Sequence, residues 1–190
     1  QNAVDILKAI PDLYYKDVTK PFVVDKCRSW TLPANMEALK RYVTPLPKVI
    51  VLERPIIEIV KSFVNLRKEN NWEGDLESDL LQDMSEPIMR SLDGVKWAKQ
   101  NNQLNNFIFI QYEELVNNTK EALNKIYNFC GIEPFEHDLN NIVNQHPEDD
   151  TVYRLLGQHD VRPTINKRKI EVELSQETID KCNEIQKSLS

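Results

Sequence analysis

The chain has 190 residues, a length that corresponds to one domain with room for an inserted flap. Hydrophobic residues make up 41% of it and charged residues 28%, so a disordered tail is excluded, and no apolar run approaches the ~20 residues of a membrane-spanning helix. The 24 Lys and Arg residues are outnumbered by 30 Asp and Glu residues, and this net charge of −6 argues against a protein that tracks nucleic-acid phosphates.

Three short runs of β-branched or aromatic residues, each bounded by breakers, predict strands at residues 22–24, 48–52 and 107–110. Uniformly apolar strands that are separated by helices are typical of a parallel sheet covered on both faces. We therefore expect an α/β fold, with a three-layer parallel β-sheet flanked by helices.

Apolar residues at helical spacing fill the gaps between these strands. The first predicted helix spans residues 34–42, and the second begins at Pro55, where a missing N–H costs little because the first turn leaves it unbonded. A third helix is expected from Asn118, as its cap, to Gly131, and a last one begins after Ser175.

A helical flap is predicted at about residues 68–100, within a single domain that spans 1–190. Six acidic residues between positions 73 and 86 are interleaved there with leucines and a methionine. Two interpretations remain open for this stretch, a solvated helix face and a lid over an acceptor site.

The glycines and cysteines exclude several kinds of site. Only four glycines occur, and no two share a loop, which excludes a Walker A loop and a dinucleotide fingerprint within this chain. Cys27, Cys130 and Cys182 are far apart and lack the spacing of zinc ligands, so we expect neither a metal nor a disulfide framework. A reducing, cytoplasmic location fits them best.

The most informative segment is 48–63, in which a buried strand ends at Arg54 and Ser62 follows eight positions later. Ligands of a parallel α/β sheet bind at the carboxyl ends of its strands. A guanidinium there can grip a phosphate through two parallel hydrogen bonds, and a hydroxyl on the adjoining helix can add a third. The alternative is a structural ion pair between Arg54 and Glu53 or Glu58.

This order of strand, arginine, helix and serine resembles the 3′-phosphate-binding segment of the sulfotransferases that use 3′-phosphoadenosine 5′-phosphosulfate (PAPS). In that family an acidic residue commonly follows the arginine by four positions and a serine by eight, a pattern that Arg54, Glu58 and Ser62 match. Three further stretches resemble the family in the same order: FVVDKCR (22–28), FIQYEELVNNTKEALNKIYNFCG (109–131) and HDVRPTINKRK (159–169). The resemblance covers most of residues 22–189 and implies a P-loop-type nucleotide-binding fold.

The glycine-containing phosphosulfate loop of that family has no counterpart in this sequence. In the family it lies between the first strand and the first helix, and here it would precede Gln1. We therefore expect an N-terminally incomplete sulfotransferase domain rather than a degenerate relative that cannot hold the donor.

The resemblance also implies roles for individual residues. Arg54 and Ser62 would bind the 3′-phosphate of the nucleotide, and Lys26 would be the cation beside the transferring sulfonate. A basic loop would close over the nucleotide phosphate, and its candidate residues are Arg162, Lys167, Arg168 and Lys169.

The general base is harder to assign, because three histidines qualify by type. Histidine titrates near neutrality, so His137, His146 and His159 are all candidates. His159 lies nearest the basic loop and is the catalytic candidate.

These observations predict transfer of a sulfonate group from PAPS, as a co-substrate and without a metal, to a hydroxyl or amine. The acceptor would be a small molecule, a carbohydrate or a peptide. Two alternatives remain open, a nucleotide or small-molecule kinase of related fold and a noncatalytic nucleotide-binding module. We expect no nucleic-acid partner and no membrane span, and the sequence does not indicate an oligomeric state.

Overall fold

The computed structural model describes residues 2–82, 88–102, 105–145 and 147–189. Its elements, in chain order, are α1 (Asn2–Tyr14), α2 (Pro33–Tyr42), β1 (Val49–Glu53), α3 (Ile56–Glu69), α4 (Met89–Gln100), β2 (Phe107–Gln111), α5 (Tyr112–Asn117), α6 (Thr119–Cys130), a 3₁₀ turn (Asp150–Tyr153) and α7 (Gln176–Ser188).

Strands β1 and β2 pair in parallel, with Val49 opposite Phe107 and Glu53 opposite Gln111. Parallel neighbours need a long crossover connection, and α3 and α4 lie within the one between them. The α/β class and the parallel pairing are therefore confirmed, while the sheet of the described residues has two strands.

The predicted strand at residues 22–24 is wrong. These residues are irregular, and their side chains are about half exposed or more. A strand is stable only when a neighbouring strand or a packed face supports it, and in the described residues β1 and β2 pair only with each other. High β-propensity alone did not place this run in a sheet.

The core consists of two clusters, one around α3 and one on a face of the sheet. In the first, buried side chains of α3 pack against residues 80–81, Ile88 and Cys182 of α7. In the second, Met36 of α2 and Ala98 of α4 pack against one face of the sheet. Helices α2 and α4 thus cover one face of β1.

The opposite face of β1 is less covered. Ile50 and Leu52 point to that face and are 38% and 54% exposed. On β2 the same face is closed at Ile110, which is buried, and α5 and α6 contact this strand. Two covered faces, as the sequence predicted, are thus seen at β2 and not at β1.

Several predicted helix ends are confirmed. Pro55 precedes the first residue of α3, and Gly131 ends α6 with φ = 67°, a left-handed conformation that glycine adopts without strain. Ser175 caps α7, since its hydroxyl accepts a hydrogen bond from the backbone N–H of Thr178. Asn118 precedes α6 but makes no side-chain cap bond.

The predicted helical flap is only partly helical. Residues 73–82 form bends and turns, in which the Asp75 carboxylate accepts hydrogen bonds from the backbone N–H groups of Glu77 and Ser78. Residues 83–87 lie outside the described residues, and α4 forms the remainder. Leu80 is buried in the first core cluster, so the described acidic stretch is part of the core wall.

Candidate functional site

Both strands end at one edge of the sheet, and Arg54 follows β1 directly at that edge. Arg54 lines a cavity of about 420 Å³. Aliphatic side chains of β1, α3, α4 and α7 form most of its wall, and Glu53, Lys99 and Gln111 add polar groups. The cavity therefore occupies the place where a parallel α/β sheet binds ligands.

The Arg54 guanidinium is held in place from two sides. Its Nε donates a hydrogen bond to Oε2 of Glu58 over 3.1 Å, and its central carbon lies 4.7 Å from the centre of the Tyr112 ring. The ion pair with Glu58 that the sequence left open is therefore formed, whereas Glu53 pairs with Lys99 over 2.8 Å. The bond to Glu58 uses Nε, so it does not occupy the Nη1 and Nη2 fork.

Ser62 lies on a polar stripe of α3. The stripe is defined by residues that a period of 3.6 places on one face of that helix: Glu58, Ser62, Asn65 and Glu69. Ser62 is half-buried and lies between the two carboxylates of the stripe.

The basic loop lies over this polar stripe. Lys167 Nζ lies 3.5 Å from Oε1 of Glu58, and Arg168 Nη2 lies 2.6 Å from Oε1 of Glu69. These carboxylates are 11 positions apart, or about 16 Å along the helix. The loop thus contacts the stripe at both of its carboxylates, and Ser62 lies between them on the same face of the helix. Ser62, Lys167 and Arg168 do not line the cavity that Arg54 lines.

Carboxylates currently balance these cations. Burial raises the pKa of Glu58, but the hydrogen bond from Arg54 and the charge of Lys167 outweigh it, so its pKa lies below the ordinary value. The hydrogen bond to Glu113 raises the pKa of Lys167. A hydrogen bond from Asn65, with help from Arg168 and Arg162, lowers the pKa of Glu69. Glu58, Glu69 and Lys167 are thus charged at neutral pH.

The two other candidates of the basic loop, Arg162 and Lys169, are exposed to solvent. Arg162 is exposed, and its contribution is the charge that it exerts on Glu69. Lys169 is 87% exposed and pairs with Glu171 over 2.6 Å. The loop therefore divides into Lys167 and Arg168, which lie on the stripe, and two residues at its margin.

The two catalytic candidates, Lys26 and His159, meet at one carboxylate. Lys26 Nζ lies 3.2 Å from Oε1 of Glu148, and His159 Nδ1 lies 3.4 Å from Oε2 of the same residue. The buried Asp150 also contacts His159 Nδ1, at 2.5 Å. Sequence reasoning missed both carboxylates, because they lie in an irregular segment without periodicity, and spacing alone gave no signal for them.

The other two histidines are not brought to this cluster. His137 contacts the Tyr127 hydroxyl, and its ring stacks on that tyrosine at 6.0 Å between ring centres. His146 lies outside the described residues. Of the two described histidines, His159 is thus the one that shares a carboxylate with Lys26.

The described ranges contain neither a membrane-spanning helix nor a cluster of metal ligands. None of the helices there is both long and apolar enough to cross a membrane. The same residues hold no group of three or more His, Cys, Asp or Glu side chains placed to bind a metal ion. Cys27, Cys130 and Cys182 are all free thiols.

Comparison with known proteins identifies the family of the chain. A family model described as "Sulfotransferase family" matches residues 5–137, which is more than half of the chain. The matched range contains Arg54, Glu58 and Ser62 and ends before the basic loop. No curated protein and no solved structure matches the chain significantly.

Proposed function

The chain belongs to the sulfotransferase family, and on that premise we propose that it transfers a sulfonate group from PAPS to a hydroxyl or amine of its acceptor. The observation that carries this proposal is the placement of Arg54, which lines the cavity at the strand ends and pairs with Glu58, a carboxylate of the polar stripe that Lys167 also contacts. The acceptor is a small molecule, a carbohydrate or a peptide.

In this proposal the polar stripe of α3 binds the nucleotide. The Nη1 and Nη2 fork of Arg54 and the Ser62 hydroxyl take the 3′-phosphate, and Lys167 and Arg168 close over it. Arg162 and Lys169 add charge at the margin. The carboxylates of the stripe hold these cations until a phosphate dianion, which is a stronger partner for them, replaces the ion pairs.

Catalysis then depends on positioning and on cations around the transferring oxygens, as in phosphoryl transfer. Lys26 is the cation that stabilises the charge developing on the sulfonate, and His159 is the base for the acceptor. No metal takes part. Lys26 is exposed and paired with Glu148, so it reaches the sulfonate by exchanging that partner.

The proposal includes the finer fold of the family, a P-loop-type parallel sheet that is wider than β1 and β2 and has helices on both faces. The exposed side chains of Ile50 and Leu52 support it, because buried strands of such sheets carry apolar residues on both faces. The free thiols support a reducing, cytoplasmic location.

Transfer of ³⁵S from labelled PAPS to a panel of carbohydrates, phenols and peptides tests this function in the full-length protein. We expect labelled product with at least one acceptor class, and we expect Ser62→Ala to raise the KM for PAPS about tenfold or more, because a hydrogen bond to a charged group contributes ~1.5–3 kcal/mol. Ser78→Ala, which removes a hydroxyl outside the stripe, serves as the matched control and should leave this KM unchanged.

Two results would contradict the proposal. Phosphoryl transfer from ATP without sulfonate transfer would identify a kinase of related fold. Binding of 3′,5′-adenosine bisphosphate without any transfer would identify a noncatalytic nucleotide-binding module.

A further inference from the structure

We propose that Asp150 is a positioning residue, which keeps the proton of the His159 imidazole on Nδ1 so that Nε2 serves as the base for the acceptor. This role rests on the proposed function, since it assigns the base of that reaction. Asp150 was not among the residues that the sequence analysis singled out.

The geometry begins with two contacts from one carboxylate to one residue. Asp150 Oδ2 accepts the backbone N–H of His159 over 2.9 Å, and Oδ1 lies 2.5 Å from His159 Nδ1. Asp150 is 7% exposed, and the His159 side chain is 13% exposed. Because both oxygens bind the same residue, the carboxylate fixes the backbone and the ring of His159 together.

Local structure holds Asp150 in this position. It is the first residue of the 3₁₀ turn, and the preceding Asp149 caps that turn by accepting the backbone N–H of Thr151 over 3.0 Å. Leu156 follows the turn by three positions and exchanges two hydrogen bonds with the side chain of Asn70. Asn70 is the residue that directly follows α3. The turn is thus tied to the same helix that carries the polar stripe.

The contact determines which nitrogen of His159 can act as a base. An ionised carboxylate only accepts hydrogen bonds, so the ring nitrogen that faces it carries the proton. In a neutral imidazole the other nitrogen, here Nε2, then holds the free electron pair. The backbone N–H of His159 lowers the pKa of Asp150, which keeps this carboxylate ionised at neutral pH.

One neighbour of His159 also binds the residue proposed as the sulfonate cation. Glu148 lies 3.4 Å from Nδ1 and also binds Lys26, the proposed sulfonate cation. The ring of Tyr153 packs edge-on against the imidazole at 5.4 Å between ring centres. Arg162, at the margin of the basic loop, follows His159 by three positions. The proposed base and the proposed sulfonate cation therefore share one carboxylate, that of Glu148.

The transfer step balances without a further reactant. The O–H bond of the acceptor breaks, and its proton moves to Nε2 of His159, which becomes an imidazolium stabilised by Asp150. The acceptor oxygen forms a bond to the donor sulfur with its electron pair, while the bond between that sulfur and the bridging phosphate oxygen breaks. The electron pair of the broken bond leaves with 3′,5′-adenosine bisphosphate.

Nitrogen NMR of the full-length protein labelled with ¹⁵N-histidine tests the assignment directly, at about pH 8, where an ordinary imidazole is neutral. In the wild type we expect a protonated Nδ1 and an unprotonated Nε2 for His159. Asp150→Asn should move the proton toward Nε2 and lower kcat about 100-fold or more, because a positioned base contributes ~10²–10⁴. The KM for PAPS should not change.

Asp160→Asn is the matched control, since it removes the charge of an exposed carboxylate that directly follows His159 and should leave the His159 tautomer and kcat at wild-type values. A proton on Nε2 in the wild type, or an unchanged kcat in Asp150→Asn, would overturn the inference. The wild-type spectrum decides even if Asp150→Asn does not fold. Transfer with the wrong tautomer overturns the inference alone, whereas absence of transfer in the wild type overturns the proposed function and the base role with it.

Discussion

Gly94 of α4 packs tightly against the chain that leads into α2. A Cβ atom at this position would lie 2.4 Å from Oγ1 of Thr31 and 3.1 Å from the backbone N of Leu32. No real contact is that short, so a larger residue would have to push the two segments apart. The side chain of Thr31 is buried, and Oγ1 has no hydrogen-bond partner among the described residues.

Gly94→Ala should therefore lower the free energy of unfolding, although alanine favours the helical conformation. Overpacking costs ~1–3 kcal/mol and the gain in helix propensity is ~1 kcal/mol, so we expect a net loss of about 1 kcal/mol, measured by urea unfolding. Thr31→Ala removes the nearest atom, and the double variant should recover part of the loss. A Gly94→Ala protein more stable than the wild type would contradict this packing.

At the same scale, part of the candidate site could be predicted from sequence. Arg54 could be placed because strand ends bind ligands, and its pair with Glu58 follows from a spacing of four on the chain. Asp150 and Glu148 could not be placed. Their contacts with His159 form within a segment that has no helical or strand pattern of apolar residues, so the sequence did not indicate which side chains would meet.

At the scale of elements, the stretch of residues 73–82 shows how composition can mislead. Its acidic side chains suggested a solvated or mobile flap, but two of them have structural partners. Asp79 pairs with the buried Arg67 over 2.6 Å, and Glu77 accepts hydrogen bonds from Ser175 at the start of α7. Burial raises the pKa of Glu77, but the hydrogen bonds from Thr178 and Ser175 outweigh it and lower the pKa. This stretch links α3 to α7.

Leu80→Ala tests whether residues 73–82 are core or lid. Leu80 is 1% exposed, and truncating a buried leucine costs ~2–5 kcal/mol, so we expect a loss of that size in urea unfolding. Leu46→Ala is the control, because Leu46 is 61% exposed and its truncation should change stability by less than ~0.5 kcal/mol. Wild-type stability of Leu80→Ala together with a changed KM for the acceptor would support a lid instead.

Strands were predicted correctly where residues with high β-propensity also pack against helices. Residues 48–52 and 107–110 were predicted within one residue of β1 and β2, since both runs are apolar and both are covered by helices. Residues 22–24 have the same local character and form no strand. The difference lies in pairing, which depends on residues far away in the sequence.

At the scale of the whole molecule, a net charge of −6 coexists with a local group of cations. Arg54, Lys167 and Arg168 gather on one face of α3, although the chain as a whole repels anions. Binding of a nucleotide phosphate there depends on short charge-assisted contacts, because longer-range attraction is screened at physiological salt. The sequence could predict these cations as a loop, but only the fold shows that they pair with Glu58 and Glu69 of α3.

The measurement that tests this arrangement most directly is calorimetric titration of the full-length protein with 3′,5′-adenosine bisphosphate and, separately, with ATP. We expect the bisphosphate to bind more tightly than ATP, and we expect Arg54→Ala to weaken it about 10- to 100-fold, because hydrogen bonds to a charged group contribute ~1.5–3 kcal/mol. Arg41→Ala, which removes a cation of α2 that lies over the Tyr42 ring, should bind like the wild type. Tighter binding of ATP, or equal affinity of Arg54→Ala and the wild type for the bisphosphate, would contradict the account.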